Sequence, residues 1–235
     1  MKALILAAGI GSRLSPLTDY TPKSMVTVNG KPIIFQQIES LLNYGIDDIT
    51  IAVGYMGKEL AVSVKRNFLG ANIKIVNNAR YYETNNMYTA HLCKDRFYGK
   101  EFIMLNADVF FEKDAISCLC ACARDNIIIT DVNTYNEESM KVTVDNGRIT
   151  RISKDVSKSD VYATSIDLYK FSSSASKSFF DKCTDYIIRG ELNLWSEVAL
   201  NDILAYHDFY PCNYSGKWME IDTLDDLQKA GEMFS

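Results

Sequence analysis

The sequence predicts an α/β domain built on a largely parallel sheet, and three observations lead there. Short apolar, β-branched runs alternate with segments of helical periodicity through the first half of the chain. At 235 residues, 47% apolar and 23% charged, the chain can cover both faces of such a sheet. The first apolar run leads straight into a glycine-containing loop, the arrangement by which open α/β sheets offer backbone amides to a ligand.

Taken in order, Lys2 to Ala8 reads as a buried strand, apolar without alternation. Pro32 opens a helix to about Tyr44, with Ile33, Ile34, Gln37, Ile38, Leu41 and Leu42 spaced for one face, and Gly45 stops it. Ile49 to Val53, Ile73 to Val76 and Glu101 to Leu105 are the following strands, with helices over Gly57 to Phe68 and around Met87 to Lys94 between them. After Asp131 the texture changes. Lys141 to Val144 and Arg148 to Ile152 flank Asp145-Asn146-Gly147, and Asn-Gly supplies the positive φ values of a tight hairpin, expected here as an insertion or lid. A strand from Val161 to Phe171, helices over Ser174 to Arg189 and Trp195 to Ala205, a short strand over Trp218 to Asp222 and a helix from Thr223 complete the chain. No linker, repeat or low-complexity tract divides it, so residues 1–235 are expected to form one domain.

Composition excludes several functions. Twenty-five Lys and Arg against thirty Asp and Glu leave a net charge of −5, which argues against nucleic acid or an anionic membrane as partner and for a small molecule. No apolar run reaches the ~18 residues of a membrane span, and Leu4 to Ala8 is too short for a signal-peptide core, so a cytoplasmic location is expected. The six cysteines show no C-x-x-C spacing and read as free thiols, with Cys118 and Cys122 on one helix face and Cys120 off it. Only His91 and His207 are present, which leaves little material for a histidine metal centre or a Ser-His-Asp triad.

The sharpest feature is Leu6-Ala7-Ala8-Gly9-Ile10-Gly11-Ser12-Arg13-Leu14, running on to Pro22-Lys23-Ser24-Met25. Glycines directly after a buried strand let amides approach an anion, and Arg13 and Lys23 add the charge that a polyphosphate needs. Alone, Gly9-x-Gly11 also fits a tight turn with two solvated cations, since it lacks the third glycine of a dinucleotide fingerprint and the Lys-Ser/Thr of a P-loop. Asn106-Ala107-Asp108 falls at the carboxyl end of a strand, where a carboxylate can hold Mg²⁺. In Trp218-Met219-Glu220-Ile221-Asp222 the period of two puts Glu220 and Asp222 on one face, so Asp222 is either a second metal ligand or the N-cap of the last helix.

Together, Leu-Ala-Ala-Gly-x-Gly-Ser-Arg-Leu with Pro-Lys-Ser-Met, then Asn-Ala-Asp, then Glu-Ile-Asp-Thr-x-Asp-Asp-Leu resemble the nucleotidyltransferases that make sugar nucleotides and CDP-alcohols. The resemblance spans nearly the whole chain and implies a Rossmann-like mixed, mainly parallel sheet flanked by helices. Its members join a nucleoside triphosphate to a phosphorylated acceptor and release pyrophosphate. Carried over by position, Gly9, Gly11, Ser12 and Arg13 would hold the triphosphate and Leu6, Ala7 and Ala8 would line the base, with Asn86 and Ala107 also on the nucleotide side. Lys23 would stand between the α-phosphate and the acceptor, and Asp108 and Asp222 would hold Mg²⁺. Residues 1–130 would then be the nucleotide-binding half and 131–235 the acceptor-binding half.

Within that family, Tyr82-Glu83-Thr84-Asn85-Asn86-Met87-Tyr88-Thr89 replaces the Gln-x-x-Gly-Thr-Ala type of segment of many hexose-1-phosphate enzymes and is similar to that of small bacterial phosphocholine cytidylyltransferases. CTP is the nucleotide this implies, with a small phosphorylated or phosphonate acceptor carrying an amine or amide. A CDP- or CMP-activated head group of this kind suits surface polysaccharide or lipid head-group assembly. A quaternary ammonium needs aromatic faces, which Tyr82, Tyr88, Tyr162, Trp195 and Trp218 could supply; a primary ammonium needs acceptors such as Glu138, Glu197, Asp202 or Glu220. The acidic approach Tyr135-Asn136-Glu137-Glu138 replaces an aromatic of the choline-using relatives and weighs against choline. Three alternatives stand beside this reading: a hexose-1-phosphate nucleotidyltransferase, a nucleotide-sensing module without turnover, and, disfavoured by the missing third glycine, a dinucleotide-binding oxidoreductase.

Overall fold

The computed structural model describes all 235 residues. β1 (Lys2–Ala7) leads through three single-turn 3₁₀ segments, Ser12–Leu14, Leu17–Asp19 and Lys23–Met25, into a minimal ribbon of β2 (Thr27–Val28) and β3 (Lys31–Pro32). There follow α1 (Ile33–Asn43), β4 (Asp48–Val53), α2 (Gly57–Asn67), β5 (Asn72–Asn77), α3 (Asn86–His91), α4 (Lys94–Phe97), β6 (Phe102–Asn106), β7 (Val109–Phe111), α5 (Asp114–Ala121) and β8 (Ile127–Asp131). The remainder supplies β9 (Lys141–Asp145), β10 (Arg148–Ser153), β11 (Ala163–Phe171), α6 (Ser173–Ile188), α7 (Ser196–Ile203), β12 (Tyr210–Asn213), β13 (Trp218–Glu220) and α8 (Leu224–Met233).

The central sheet runs β10-β9-β11-β6-β1-β4-β5, with β8 beside β11 and β12 beside β8. β1 lies parallel to β4 and β6, β4 lies parallel to β5, and β11 returns antiparallel against β6. The unbroken apolar run of β1 is explained by its place in the middle, with a helical layer on each face. Its odd residues Ala3, Ile5 and Ala7 pack with Ile34, Ile38 and Leu41 of α1 and Leu60 of α2. Its even residues Leu4 and Leu6 pack with Met87 of α3, Phe179 of α6 and Leu200 of α7. That is the period-two alternation of a strand buried on both sides, and each large side chain so buried contributes about 1.5–3 kcal/mol. At the end of α1, Gly45 takes φ +72° and Ile46 N–H bonds back to Leu41 O, closing the helix where the glycine predicts.

The hairpin forms at the expected turn, with Asn146 and Gly147 both at positive φ. It is not a detached lid. β9 pairs with β11, and Val142, Ile149 and Ile152 join the core around α7, so the hairpin extends the main sheet. β7, β8 and β12 are strands that local pattern leaves unassigned; Tyr210–Asn213 is short and contains Pro211, and it becomes a strand only by pairing along β8. The thiols are free, and Cys118 and Cys122 pack against the core while Cys120 is exposed, with Cys118 Sγ also 3.0 Å from Cys212 Sγ. No helix is long and apolar enough to cross a membrane.

Candidate active site

Two adjoining cavities of about 240 and 220 Å³ open over the carboxyl ends of β1 and β6 and share Leu6, Gly9, Arg13, Asp108 and Asp222 in their walls. The smaller is bounded by the glycine loop. Gly11 takes φ +72°, and a Cβ there would come within 2.8 Å of the Lys23 Cβ, so only glycine lets the loop fold over the lysine. Thr18 Oγ1 donates to Gly11 O at 2.9 Å and holds the turn. Ala7, Ser12 and Ala107, expected on the nucleotide side, line this cavity with Lys23, expected between the α-phosphate and the acceptor, and Ser24 joins them.

Lys23 is the electrostatic centre. Its Nζ lies 2.8 Å from Asp108 Oδ2 and 2.6 Å from Asp222 Oδ1, and Arg13 Nη2 reaches Asp222 Oδ2 at 2.7 Å. Burial disfavours the Lys23 charge, but Asp108 and Asp222 outweigh it and hold the pKa above the ordinary lysine value. Burial likewise pushes Asp222 up, and Lys23 and Arg13 pull it below the usual carboxylate range.

The two aspartates meet through local pairing. Asp108 sits in the turn between β6 and β7, and β7 pairs antiparallel with β13, Val109 opposite Glu220. Ile221 N–H then donates to Asp108 O at 2.9 Å, which brings Asp222 alongside. The last helix makes no use of Asp222 as a cap: Thr223 is the N-cap, in a reciprocal capping box with Asp226. Gln37, which its spacing places on the apolar face of α1, braces the turn from beneath. It is fully buried, and its Nε2 donates to Asn106 O and Val109 O, both at 2.9 Å. No local signal distinguishes this glutamine from a core position.

Asp108, Glu220 and Asp222 each offer a carboxylate oxygen within 4.8 Å of the others. Glu220 accepts from Ser139 Oγ at 2.9 Å, and burial together with the charges of Asp167, Asp108 and Asp222 pushes its pKa up to about 9. Asp108 Oδ1 is buried without a partner. An orphaned carboxylate oxygen beside two more carboxylates fits a hard divalent cation such as Mg²⁺.

The larger cavity carries Ala8, Asn86, Trp195, Glu197 and Glu220 as expected, and adds Asn78, Tyr81, Asn85, Lys154 and Asp167. Asn86 Oδ1 accepts from Ser196 N–H at 2.8 Å, tying α3 to the start of α7. Several expected acceptor contacts lie outside both cavities. Tyr162 is exposed on the surface, Tyr88 packs under the Arg80 guanidinium 5.7 Å from its ring centroid, and Glu138 is an exposed rim residue 3.8 Å from Arg13 Nη1. Asp202 is engaged by Tyr186. Strand and helix periodicity fixes the face of a residue within its element but not which face borders a cleft formed by distant segments, and these residues miss it for that reason.

Asp167 has no local signature at all in the sequence. It lies in β11 at φ +58°, buried, with Oδ2 accepting from Asn106 Nδ2 at 2.8 Å. Burial, then the charges of Glu197 and Asp108, push its pKa up to about 7, and burial raises Glu197 as well.

Comparison with known proteins agrees with this geometry. The nucleotidyl transferase family profile matches residues 2–231. The chain is 32% identical to a choline-phosphate cytidylyltransferase of Streptococcus pneumoniae, over 99% of this chain and 98% of that one. It is 29% identical to a CTP:phosphoglutamine cytidylyltransferase of Campylobacter jejuni, over 97% and 98%. The solved CTP:phosphocholine cytidylyltransferase from Streptococcus pneumoniae superposes with a TM-score of 0.81 at 27% identity, covering 100% of this chain and 99% of that one. A glycine loop folded over a lysine, two aspartates clasping that lysine and a family match over nearly the full length lead to one conclusion: the chain belongs to the nucleotidyl transferase family.

Proposed function

We propose that the protein is a Mg²⁺-dependent cytidylyltransferase that moves CMP from CTP to a small phosphorylated or phosphonate acceptor and releases pyrophosphate, as a step in making activated head groups for surface polysaccharide or lipid. The observation that carries this is the placement of Lys23, in the wall of the smaller cavity beneath the Gly9–Arg13 loop, between Asp108 and Asp222, which line both cavities. The choice of CTP is supported by the two near-full-length relatives, both named as cytidylyltransferases.

In this reading the acceptor's phosphate or phosphonate oxygen attacks the α-phosphorus of CTP in line, the P–O bond to the β-phosphate breaks, and the electron pair leaves on pyrophosphate. The attacking oxygen is already anionic near neutral pH, so no general base is required. The chain supplies alignment and neutralisation. The Lys23 ammonium has three donors and can give one to the α-phosphate while keeping the others on Asp108 and Asp222. Arg13 and the amides of Gly11 and Ser12 are set to hold the departing pyrophosphate. Leu6, Ala7 and Ala8 would line the base, with Leu6 and Ala8 sharing the larger cavity with Asn86 and Ala7 lining the smaller one. Asp108 and Asp222, with Glu220 adjacent, would hold Mg²⁺, which when bound supplies charge neutralisation to the phosphates.

The test is pyrophosphate release with Mg²⁺ across CTP, UTP, dTTP, GTP and ATP against small phospho-acceptors and hexose 1-phosphates. Release confined to CTP with a non-sugar acceptor is the expected result. Release with a hexose 1-phosphate would move the protein to the sugar-nucleotide branch, and CTP binding with no release from any pair would make it a sensor.

A further inference from the structure

The cavity wall formed by β11 and α7 holds an arrangement that nucleotide chemistry does not use. Asp167, at its left-handed φ, breaks the pairing register of β11 with β8 between Ser165 and Tyr169. Such a conformation is uncommon for a residue with a Cβ and marks a place where the surroundings over-determine the backbone. Its effect is to gather polar groups at one point. The Tyr169 hydroxyl lies 2.8 Å from Asp167 Oδ1 and 2.8 Å from Glu197 Oε1. A phenol has a single hydrogen and can donate to only one of these carboxylates; the other contact needs a second proton or a nearby cation. The far oxygen of Glu197, Oε2, is buried with no partner, on a residue only 2% exposed that lines the cavity.

We propose that Asp167 and Glu197, held together from behind by the buried Tyr169 hydroxyl, form the subsite for a primary ammonium group on the acceptor, so that the enzyme selects small aminoalkyl phosphates or phosphonates over quaternary-ammonium and neutral ones. This rests on the transferase reading given above. A primary ammonium brings directional N–H donors and a positive charge, which answer the orphaned Glu197 oxygen and the carboxylate contact that the single Tyr169 proton cannot. A quaternary ammonium has no N–H to give and depends on an open aromatic face. The Trp195 face in this cavity is already covered by the chain's own Lys154 ammonium, 5.2 Å from the ring centroid. A neutral acceptor leaves the carboxylates unanswered.

The test compares 2-aminoethyl phosphate, phosphocholine and propyl phosphate on the full-length protein with Mg²⁺. Binding is measured by calorimetry with and without a non-hydrolysable CTP analogue, and turnover by pyrophosphate release with CTP. We expect 2-aminoethyl phosphate to bind at least about 10-fold more tightly than either competitor, and Glu197→Gln to weaken it on the order of 30-fold while changing propyl phosphate less than about 3-fold, as for loss of one partner of a buried charge pair. Asp167→Asn is a second variant suited to folding, because Asn tolerates the left-handed region and can still bond to Asn106 and Tyr169; it should weaken the same ligand selectively. Equal or tighter binding of phosphocholine or propyl phosphate, no binding of any of the three, or a uniform loss across them in Glu197→Gln, overturns the subsite. Selective amine binding without pyrophosphate release from any nucleotide would instead sustain the subsite and overturn the transferase reading.

Discussion

At the glycine-loop end of the cleft the buried cation Lys23 is held by two carboxylates of the chain, whereas at the β11–α7 end two buried carboxylates lie together with no ion pair to either. Lys23 is clasped by Asp108 and Asp222, and Arg13 closes on Asp222, so the buried cation arrives paired and aligned, with Asp108 Oδ1 left open. Asp167 and Glu197 share one phenol and keep one orphaned oxygen, and their pKa values rise through burial. A site that receives a polyanion can be assembled in advance, because the groups that bind it can pair with one another while they wait. At the β11–α7 end the chain's own cation, Lys154, lies over Trp195 and offsets Glu197 only as the smallest of the influences on it, and the fold holds the two carboxylates with strain and with protons.

The sharpest way to break this contrast is at its paired end. Lys23→Ala or Asp108→Asn should lower the rate of pyrophosphate release ~100-fold or more, as for removal of one transition-state donor. Each also leaves a buried group unpaired, so a thermal melt should accompany the assay; near-normal turnover by either variant would remove these residues from the reaction. Gln37→Leu tests the same end indirectly. It strips the donors from Asn106 O and Val109 O without replacing any cavity-lining side chain. We expect kcat to fall about 10-fold through displacement of Asp108, with KM for the acceptor little changed. A Tm loss with unaltered kcat would make Gln37 a purely structural residue.

The same two ends differ in how far they can be read from sequence. The glycine loop, Lys23 and Asp108 are legible because strand-loop junctions carry their chemistry in consecutive residues, and the strict sidedness of β1 and α1 follows from period alone. Asp222 is half legible: the alternation from Trp218 puts it with Glu220, but only the capping box of Thr223 and Asp226 shows that the helix start leaves it free. Asp167 is invisible, since a lone acid in Ala163–Phe171 looks like a solvent-facing strand position until Asn106 and Tyr169 close on its side chain. Tyr88 and Tyr162 are misplaced for the converse reason, being aromatics that turn to Arg80 and to solvent.

A smaller effect separates function from stability at the unpaired end. Asp167 has an ordinary pKa of 3.8 and is raised to about 7 in the fold, first by burial and then by the charges of Glu197 and Asp108. The folded state therefore binds more protons than the unfolded state between about pH 4 and pH 7, and stability falls as pH rises through that window. The full cost is present above about pH 7. Asp167→Asn removes it, so the variant should melt a few degrees above wild type at pH 8, and the gap should close as pH falls toward 4. A gap that widens on acidification would mean that Asp167 is a stabilising carboxylate, and the contrast between the two ends would lose its energetic basis.

The smallest effect is expected at Glu138, on the rim where the two ends meet. Its carboxylate is 3.8 Å from Arg13 Nη1, with the two side chains 70% and 53% exposed. An ion pair so open to water is worth roughly 0–1 kcal/mol and weakens with salt, and Arg13 keeps its shorter bond to Asp222 whether or not Glu138 is charged. Glu138→Gln should thus change kcat/KM less than about 3-fold, and less still at high salt. A larger loss, confined to the acceptor KM and insensitive to salt, would mean that the acceptor reaches the rim and that its cationic group is held there rather than at Glu197. The contrast would then lie between cleft floor and rim, and the buried carboxylates of β11 and α7 would need another ligand.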